Sequence, residues 1–419
     1  MASLPELPAV SSLSKYVTRV LGQNPSKFTL QGTNSYLVHH PHSTRMILID
    51  TTGPSSSGPL PAGSLSNYLA SLRSVLVPSP SSAPNSAASG EASESRQRRR
   101  RYISDIILTH WHRDHTEAVN AVIGLLSELR REETERGGEP QTPPVKVWKF
   151  PCAAATSDRA WAGEKGRDDA LENELGKLSD SAIEPAANGG PLCGPLEPGQ
   201  RFQLSATESS SSAPEHVDDF VIDLQVVHTP GHTSDSVCLL LHETSTSASS
   251  AAARPIGVFT ADTVLGHGTA VFASLSAYLT SLSSLVSVLE ESESSTEACS
   301  PIPLFTGHGD VVHDGVSKIK EYRAHRVERE RQVVEALRAA NGPQTATELV
   351  HQIYGSTIPE SLIPAATHGC LLHLAKLLEE GHVDRISKGD EEAAVAVEHE
   401  EMQIPPGWHD GWAVKVASL

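Results

Sequence analysis

The chain has 419 residues, 38% apolar but only 5% aromatic, and carries 51 acidic against 33 basic side chains, a formal net charge of −18. That length suits one large catalytic unit with a smaller module, and long Ser/Ala/Pro/Gly/Glu stretches dilute a folded core of roughly 300 residues. The acidic balance opposes a broad phosphate-binding footprint, because counterion release requires clustered Lys and Arg.

Residues 1–26 read as a lead-in with one short amphipathic piece. They contain no apolar signal core, so a cytoplasmic location is expected, with an organelle as the alternative. FTLQGTNSYLV and RMILID then read as two strands joined by the turn HHPHST, the second ending at Asp50 before TTGP. Residues 64–77 repeat apolar positions at helical spacing. Residues 78–101 are of low complexity, an insertion expected to be disordered, and the basic run at 98–101 within it reads as a solvated loop.

YISDIILTH is a buried-strand pattern that runs directly into WHRDH, and AVNAVIGLLSELRREE follows as a helix. A loop at the carboxyl end of a strand is where α/β proteins usually place their chemistry. VKVWKF is a further strand. The polar, Gly/Ser/Pro-rich residues between 156 and 217 form a second insertion expected to be disordered. DFVIDLQVVHTPGH, SVCLLLHE and PIGVFTAD return to strand, SLSAYLTSLSSLVSVLEE to amphipathic helix, and PLFTGHG closes with a strand and turn. This alternation predicts an α/β fold with two sheets sandwiched between helices, over residues 1–315.

From Val316 the pattern is helical, with Thr345 placed to cap a second helix and Gly381 to end a third before the extended VDRISK. Residues 316–419 are therefore expected to form a winged-helix-like module. The tryptophans at 408 and 412 have no predicted place beyond packing the tail onto the body. The five cysteines, Cys152, Cys193, Cys238, Cys299 and Cys370, are scattered and never form a CxxC pair. They argue against a disulfide framework and a thiolate zinc site. No apolar run reaches the ~18 residues that would span a bilayer, so no membrane partner is expected.

The chemistry concentrates in His110-Trp-His112-Arg-Asp114-His115. Imidazole nitrogen and carboxylate oxygen are good zinc donors, and catalytic sites combine a few of them with an open position. Two histidines one residue apart at a strand end can meet one metal, and the Asp-His pair beyond can reach a second. A polar surface turn would explain this segment alone. It would not explain His232 in HTPGH, Asp262 in FTADT and His308 in FTGHG, each of which follows a predicted strand by a tight turn.

Through HxHxDH, then His232, Asp262 and His308, the chain resembles the metallo-β-lactamase superfamily. The resemblance implies an αββα sandwich and two Zn2+ ions. One would be held by His110, His112 and His232, the other by Asp114, His115 and His308, with Asp262 bridging both. It also implies that Asp50 orients the ligand loop. LQGTNSYLV, THWHRDH, HTPGHTSDS, LGHGTAVF, the GHG turn and IKEYRAHRVERE narrow the likeness to the β-lactamase-like protein 2 subgroup, whose members carry a C-terminal winged helix. Similar sequences include fungal thioesterases that release polyketides from acyl carrier proteins, and the segment 266–272 resembles that branch.

Two positions depart from the subgroup. Thr116-Glu117-Ala118 stand where a small residue and Gly-Gly usually follow HxHxDH, which would bring a carboxylate close to the metals. Ala261 replaces the Gly that usually precedes the bridging Asp.

The implied activity is hydrolysis by a hydroxide formed from water shared between two zinc ions, with Asp114 orienting it and passing a proton to the leaving group. The expected substrate is a polyketide-type acyl thioester on an acyl carrier protein or polyketide synthase. His267 is the candidate substrate contact. Carrier proteins are acidic, and the arginines between Arg323 and Arg331 are the candidate basic patch for docking one. The alternative is a single-strand-specific endoribonuclease acting on RNA. A nucleic-acid-binding regulator with a structural zinc site is disfavoured, because such sites are usually closed and rich in cysteine.

Overall fold

The structure, a computed structural model, describes residues 4–55, 58–78, 100–135, 142–152, 164–179, 181–185, 190–206, 220–245, 254–293, 300–355, 358–386 and 410–415. Two sheets carry the catalytic part. The first runs in chain order through β1 (Val10–Ser12), β2 (Val17–Leu21), β3 (Asn34–His39), β4 (Arg45–Ile49), β5 (Tyr102–Leu108), β6 (Lys146–Lys149) and β7 (Cys193–Pro195). Its first four strands are antiparallel, and β4 through β7 are parallel. Parallel neighbours need crossovers. These contain α1 (Ser64–Leu76), α3 (Val119–Glu135, following the single turn α2 at Arg113–Thr116) and α4 (Arg167–Leu175).

The second sheet is ordered β12 (Leu304–Thr306), β11 (Pro255–Ala261), β10 (Val237–Ser245), β9 (Phe220–His228) and β8 (Arg201–Leu204). It is antiparallel except for the β11/β12 pair, which is bridged by α5 (Leu275–Glu293).

Three apolar layers fix this arrangement. Alternate residues such as Tyr36, Val38, Ile47 and Ile49 of the first sheet meet Leu224, Val226, Leu239 and Phe259 of the second. The opposite face of β3–β5 (Leu37, Leu48, Ile106, Leu108) packs under Tyr68 and Leu72 of α1 and Val122 and Ile123 of α3. The outer face of the second sheet (Cys238, Leu240, Val258) packs under Tyr278, Leu282 and Leu285 of α5. Period-two alternation buries both faces of each sheet, so helices must cover the outside, which gives the αββα sandwich.

The C-terminal part comprises α6 (Gly315–Ala339), α7 (Ala346–Tyr354), a 3-10 turn at Glu360–Leu362, α8 (Ile363–Glu379) and an antiparallel hairpin of β13 (Val383–Ile386) and β14 (Gly411–Val414). Thr345 caps α7 in a reciprocal box with Glu348. Helix α6 serves two cores. Its first half gives Val316, Ile319 and Tyr322 to the layer over the second sheet, and its second half gives Val333, Ala336 and Leu337 to the winged-helix core.

Several expectations need correction. The lead-in contains β1 and β2, short runs that gain their stability from pairing, β1 with β2 and the buried β2 with β3, rather than from length. The stretch 156–217 is not a wholly disordered insertion. Among its described residues are α4, β7 and β8, and the strands are legible only through their partners β6 and β9. Residues 156–163, 180, 186–189 and 207–217 of that stretch, and residues 79–99 of the other insertion, lie outside the described residues. Arg100 is not a solvated loop residue: it ion-pairs with Glu132 at 2.9 Å and donates to the Leu129 carbonyl on α3. Trp412 is buried on β14 within the winged-helix core rather than against the catalytic body, and Trp408 lies outside the described residues. His373 is buried on α8.

Cys152, Cys193, Cys238 and Cys370 are free thiols. Among the described residues no helix is long and apolar enough to cross a membrane.

Candidate metal centre

All seven predicted ligands come together at one edge of the two sheets, each from a turn that follows a strand. Strand β5 ends at Leu108 and delivers His110 and His112, and the single turn α2 delivers Asp114 and His115. His232 follows β9, Asp262 follows β11 and His308 follows β12. Their donor atoms form three overlapping groups: His110, His112 and His232; His110, His115 and Asp262; and Asp114, His115 and His308. All seven side chains are buried or nearly so.

In the tris-histidine group, His110 Nε2, His112 Nδ1 and His232 Nε2 stand 2.9 to 3.3 Å apart. In the other, His308 Nε2 is 3.3 Å from His115 Nε2 and 3.2 Å from Asp114 Oδ2. Asp262 faces both groups. Its Oδ1 is 3.4 Å from His115 Nε2, while Oδ2 is 3.3 Å from His308 Nε2 and 3.7 Å from His232 Nε2.

Hydrogen bonds on the far side of the rings assign the tautomers. His232 Nδ1 lies 2.8 Å from the Val271 carbonyl and His115 Nδ1 lies 2.8 Å from Asp50 Oδ2, so both nitrogens donate. Thr109 gives its hydroxyl proton to Asp50 at 2.8 Å, which leaves its oxygen to accept from His110 Nδ1 at 3.1 Å. The Nε2 atoms of His110 and His232 are then left with lone pairs aimed at each other, 3.3 Å apart. Such a cluster is unfavourable without a cation, and ligands about 2.0–2.1 Å from one tetrahedral ion would stand about 3.3 Å apart. Among the described residues, Asp50, Asp114 and Asp262 form ion pairs only with histidines. The donor set, all N and O, therefore fits divalent zinc, and also iron or manganese.

Electrostatics divide the centre. Burial, reinforced by the neighbouring His232, lowers the His112 imidazole to about 3, and burial also holds His110 well below its ordinary value. Burial opposes charge on His308 too, but Asp262 and Asp114 outweigh it and raise that ring to about 9. Asp114 and Asp50 raise His115 in the same way. At pH 7.5 the metal-free protein thus carries protons on His308 and His115, while His110 and His112 are neutral. Metal must displace protons on the Asp114/His115/His308 side but not from His110 or His112. On acidification from pH 9 to pH 6, affinity at the first of these sides should fall about tenfold per pH unit for each proton released. The ion held by the three histidines should be retained longer. Calorimetric metal titrations in buffers of different ionisation enthalpy would read the protons directly, and two ions lost in parallel would contradict this.

The loops are held from outside the ligand set. Asp50 has a left-handed backbone (φ 58°) and accepts from Thr109 N at 2.8 Å as well as from the Thr109 hydroxyl. The turn after it carries the ligand loop: Thr51 N donates to His115 O and Ala118 N to Thr52 O, both at 2.8 Å. Gly53 is required there, because a Cβ would lie 2.0 Å from the Arg113 carbonyl.

Asn34 grips the His308 turn through the Thr306 and Gly309 carbonyls at 2.9 and 2.7 Å. Sequence reasoning gave neither Asn34 nor Thr109 a role. The signal was a short polar side chain at the boundary of a buried strand. Glu117 does not join the donor groups as its position suggested: it points to solvent, paired with Arg113 at 2.9 Å. Ala261 is left-handed (φ 44°), which accounts for the glycine usual at that position. His267 is exposed on the loop after Asp262 and belongs to none of the three donor groups.

Gly307→Ala should evict Asp262, because a Cβ would lie 2.3 Å from its Oδ1 and 2.9 Å from the Ala261 carbonyl carbon. The expected result is a bound ion lost with circular dichroism unchanged; full metal content in the variant would mean that the turn can yield.

An αββα sandwich with this ligand order at the sheet edge defines a metallo-β-lactamase-type hydrolase. Solved structures agree on the fold. A β-lactamase domain protein from Burkholderia ambifaria superposes with a TM-score of 0.55 at 15% identity, covering 98% of this chain and 95% of its own. A metallo-β-lactamase family protein from Thermus thermophilus does so with a TM-score of 0.51 at 17% identity, covering 96% and 100%. Residues 345–391 match the β-lactamase-associated winged helix domain. Over 387 residues the chain is 30% identical to a β-lactamase-like protein 2 homolog of Drosophila melanogaster, covering 92% of this chain and 95% of that protein. The chain belongs to the β-lactamase-like protein 2 family. It is also 26% identical to an atrochrysone carboxyl ACP thioesterase of Passalora fulva (85% and 74% covered) and 27% identical to one from Paecilomyces divaricatus (93% and 88%).

Proposed function

We propose that this hydrolase cleaves acyl thioesters, of polyketide type, presented by an acyl carrier protein, with two Zn2+ ions held by His110, His112, Asp114, His115, His232, Asp262 and His308. The ions would supply a water ionised near neutral pH and a Lewis acid for the carbonyl oxygen. The chain's own groups do the rest. Asp50 and Thr109 orient the rings of His115 and His110, and Val271 that of His232. Asp114, whose carboxyl His115 and His308 hold below its ordinary value against the effect of burial, is the group placed to orient the attacking water and take its proton. Water adds to the carbonyl, the C–S bond breaks, and the departing thiolate takes up a proton. A thiolate leaves without a strong acid, which suits a centre whose carboxylates are all ionised.

The observation that carries the choice of substrate is the charge balance of the cleft beside the ligand loop. This cleft, of about 340 Å3, is floored by Trp111, Val119, Ala170 and Leu171. Its cations are already engaged: Arg113 with Glu117, Arg167 over the Trp111 ring at 4.3 Å, and Lys149 with Asp168. A phosphate-tracking groove needs basic groups to spare, whereas an acyl chain needs apolar floor. The relatives named as acyl-carrier-protein thioesterases point the same way.

The arginine-rich helix offers less for docking than its sequence suggested. Arg326 is half-buried and donates to the Ala270 carbonyl, Arg329 lies 4.4 Å over the Tyr354 ring, and Arg331 is bridged to Glu328 and Glu335, so Arg323 is what remains for a carrier protein. The test is metal-loaded protein assayed in parallel on acyl-pantetheine thioesters and single-stranded RNA. Thioester turnover is expected, and RNA cleavage without it would replace this reading by the endoribonuclease one.

A further inference from the structure

The loop between Asp262 and α5 has no regular structure, yet Val271 within it supplies the carbonyl that fixes the His232 ring. What holds that loop is α6. The Tyr322 hydroxyl accepts from Leu265 N at 3.1 Å and donates to the Gly268 carbonyl at 2.9 Å. One helical turn on, Arg326 Nη2 donates to the Ala270 carbonyl at 2.7 Å, and its guanidinium lies 4.6 Å from the centroid of the Phe272 ring. That ring also stacks on Tyr278 at 5.3 Å and meets the edge of His373, from α8, at 6.5 Å. Residues four apart share a helix face, so Tyr322 and Arg326 reach the same loop together. Arg326 thus grips both neighbours of Val271: the carbonyl of the residue before it and the ring of the residue after it.

Burying a guanidinium is costly, and burial lowers the Arg326 pKa. A packing role alone would be met by an apolar side chain. The fork instead spends its charge on one backbone carbonyl and one ring, on either side of the residue that orients a metal donor.

We propose that Arg326 and Tyr322 are positioning residues for the metal centre. Through them the helix that opens the C-terminal module sets the place of His232 and the shape of the loop 266–272 beside it. This rests on reading His232 as a ligand, and the experiment separates the two. Tyr322→Phe keeps the buried ring and removes only the hydroxyl, Arg326→Met keeps the length without the donors, and Arg326→Lys restores one charged donor without the fork.

Co2+ binding, followed by absorption spectroscopy and chelator competition, reads each side of the centre without reference to any substrate. Arg326→Met should weaken the tris-histidine side about 10- to 100-fold, the range for loss of a group that orients a ligand. The Asp114/His115/His308 side should be unaffected. Tyr322→Phe should weaken the same side several-fold, and Arg326→Lys should fall between Arg326→Met and wild type. Folded Arg326→Met and Tyr322→Phe proteins that bind both ions as wild type does would overturn the proposal; if Arg326→Met does not fold, Tyr322→Phe decides alone. His232→Ala should lose one ion. Should it keep both at wild-type affinity, the ligand reading fails and the brace with it; should it lose the ion while the α6 variants do not, the brace alone fails.

Discussion

Asp262→Ala should reduce turnover at least about a thousandfold, equivalent to about 4 kcal/mol of lost transition-state stabilisation. Its two oxygens face His115 on one side and His308 and His232 on the other, so among the described residues it is the one carboxylate that faces both donor groups. Removing it leaves the two donor groups without a shared carboxylate and takes away the main counter-charge that raises His308. His112→Ala should have an effect of the same order, confined to the tris-histidine side. Both folds should survive, because the sandwich is held by the three apolar layers and not by the ligands. Metal analysis and turnover, read together, check this: either variant with two ions and wild-type activity would refute the ligand assignment.

Lys149→Met should destabilise the protein by about 3–5 kcal/mol, the cost of leaving a buried charge without its partner. Lys149, at the end of β6, is itself buried and lies 2.7 Å from both Asp168 on α4 and Asp235 in the His232 loop. Asp235 is fully buried, so an apolar residue at 149 would strand its carboxylate. Against the desolvation that disfavours its charge, Asp235 leads in holding Lys149 protonated well above its ordinary value. Urea unfolding of the variant should show a markedly lower midpoint, and Lys149→Met combined with Asp235→Asn should recover part of it. An unchanged midpoint in the single variant would show that water or rearrangement already compensates Asp235.

The two variants probe different things. Asp262 acts on metal and turnover, whereas Lys149 acts on the joint that fastens α4 and the His232 loop to the end of the first sheet. Glu164 belongs to that same joint, accepting from Ser234 N at 2.7 Å and from the Ser234 hydroxyl at 2.5 Å. None of this was visible in the sequence, where residues 156–217 read as a polar insertion. Short elements such as α4 and β8 carry too few apolar residues to announce themselves. They exist because β9 and the Lys149 pair give them something to bind.

By itself the sequence determined the candidate donor set and its order. Ligand chemistry is local: His110 to His115 lie within six positions at the end of an apolar strand, and His232, Asp262 and His308 each follow a strand by a tight turn. Period-two and period-3.6 patterns are likewise local, so the layers of the sandwich and the helices of the C-terminal module were legible too. Tertiary structure alone decided what orients the donors. Asn34 and the His308 turn, Asp50 and Thr109, and Arg326 and the carbonyl beside Val271 are meetings of side chain and backbone across tens to hundreds of residues, apart from the adjacent Thr109 and His110. A hydrogen bond to a main-chain carbonyl leaves no trace in the identity of the residue that offers it, which is why only the fold could reveal them.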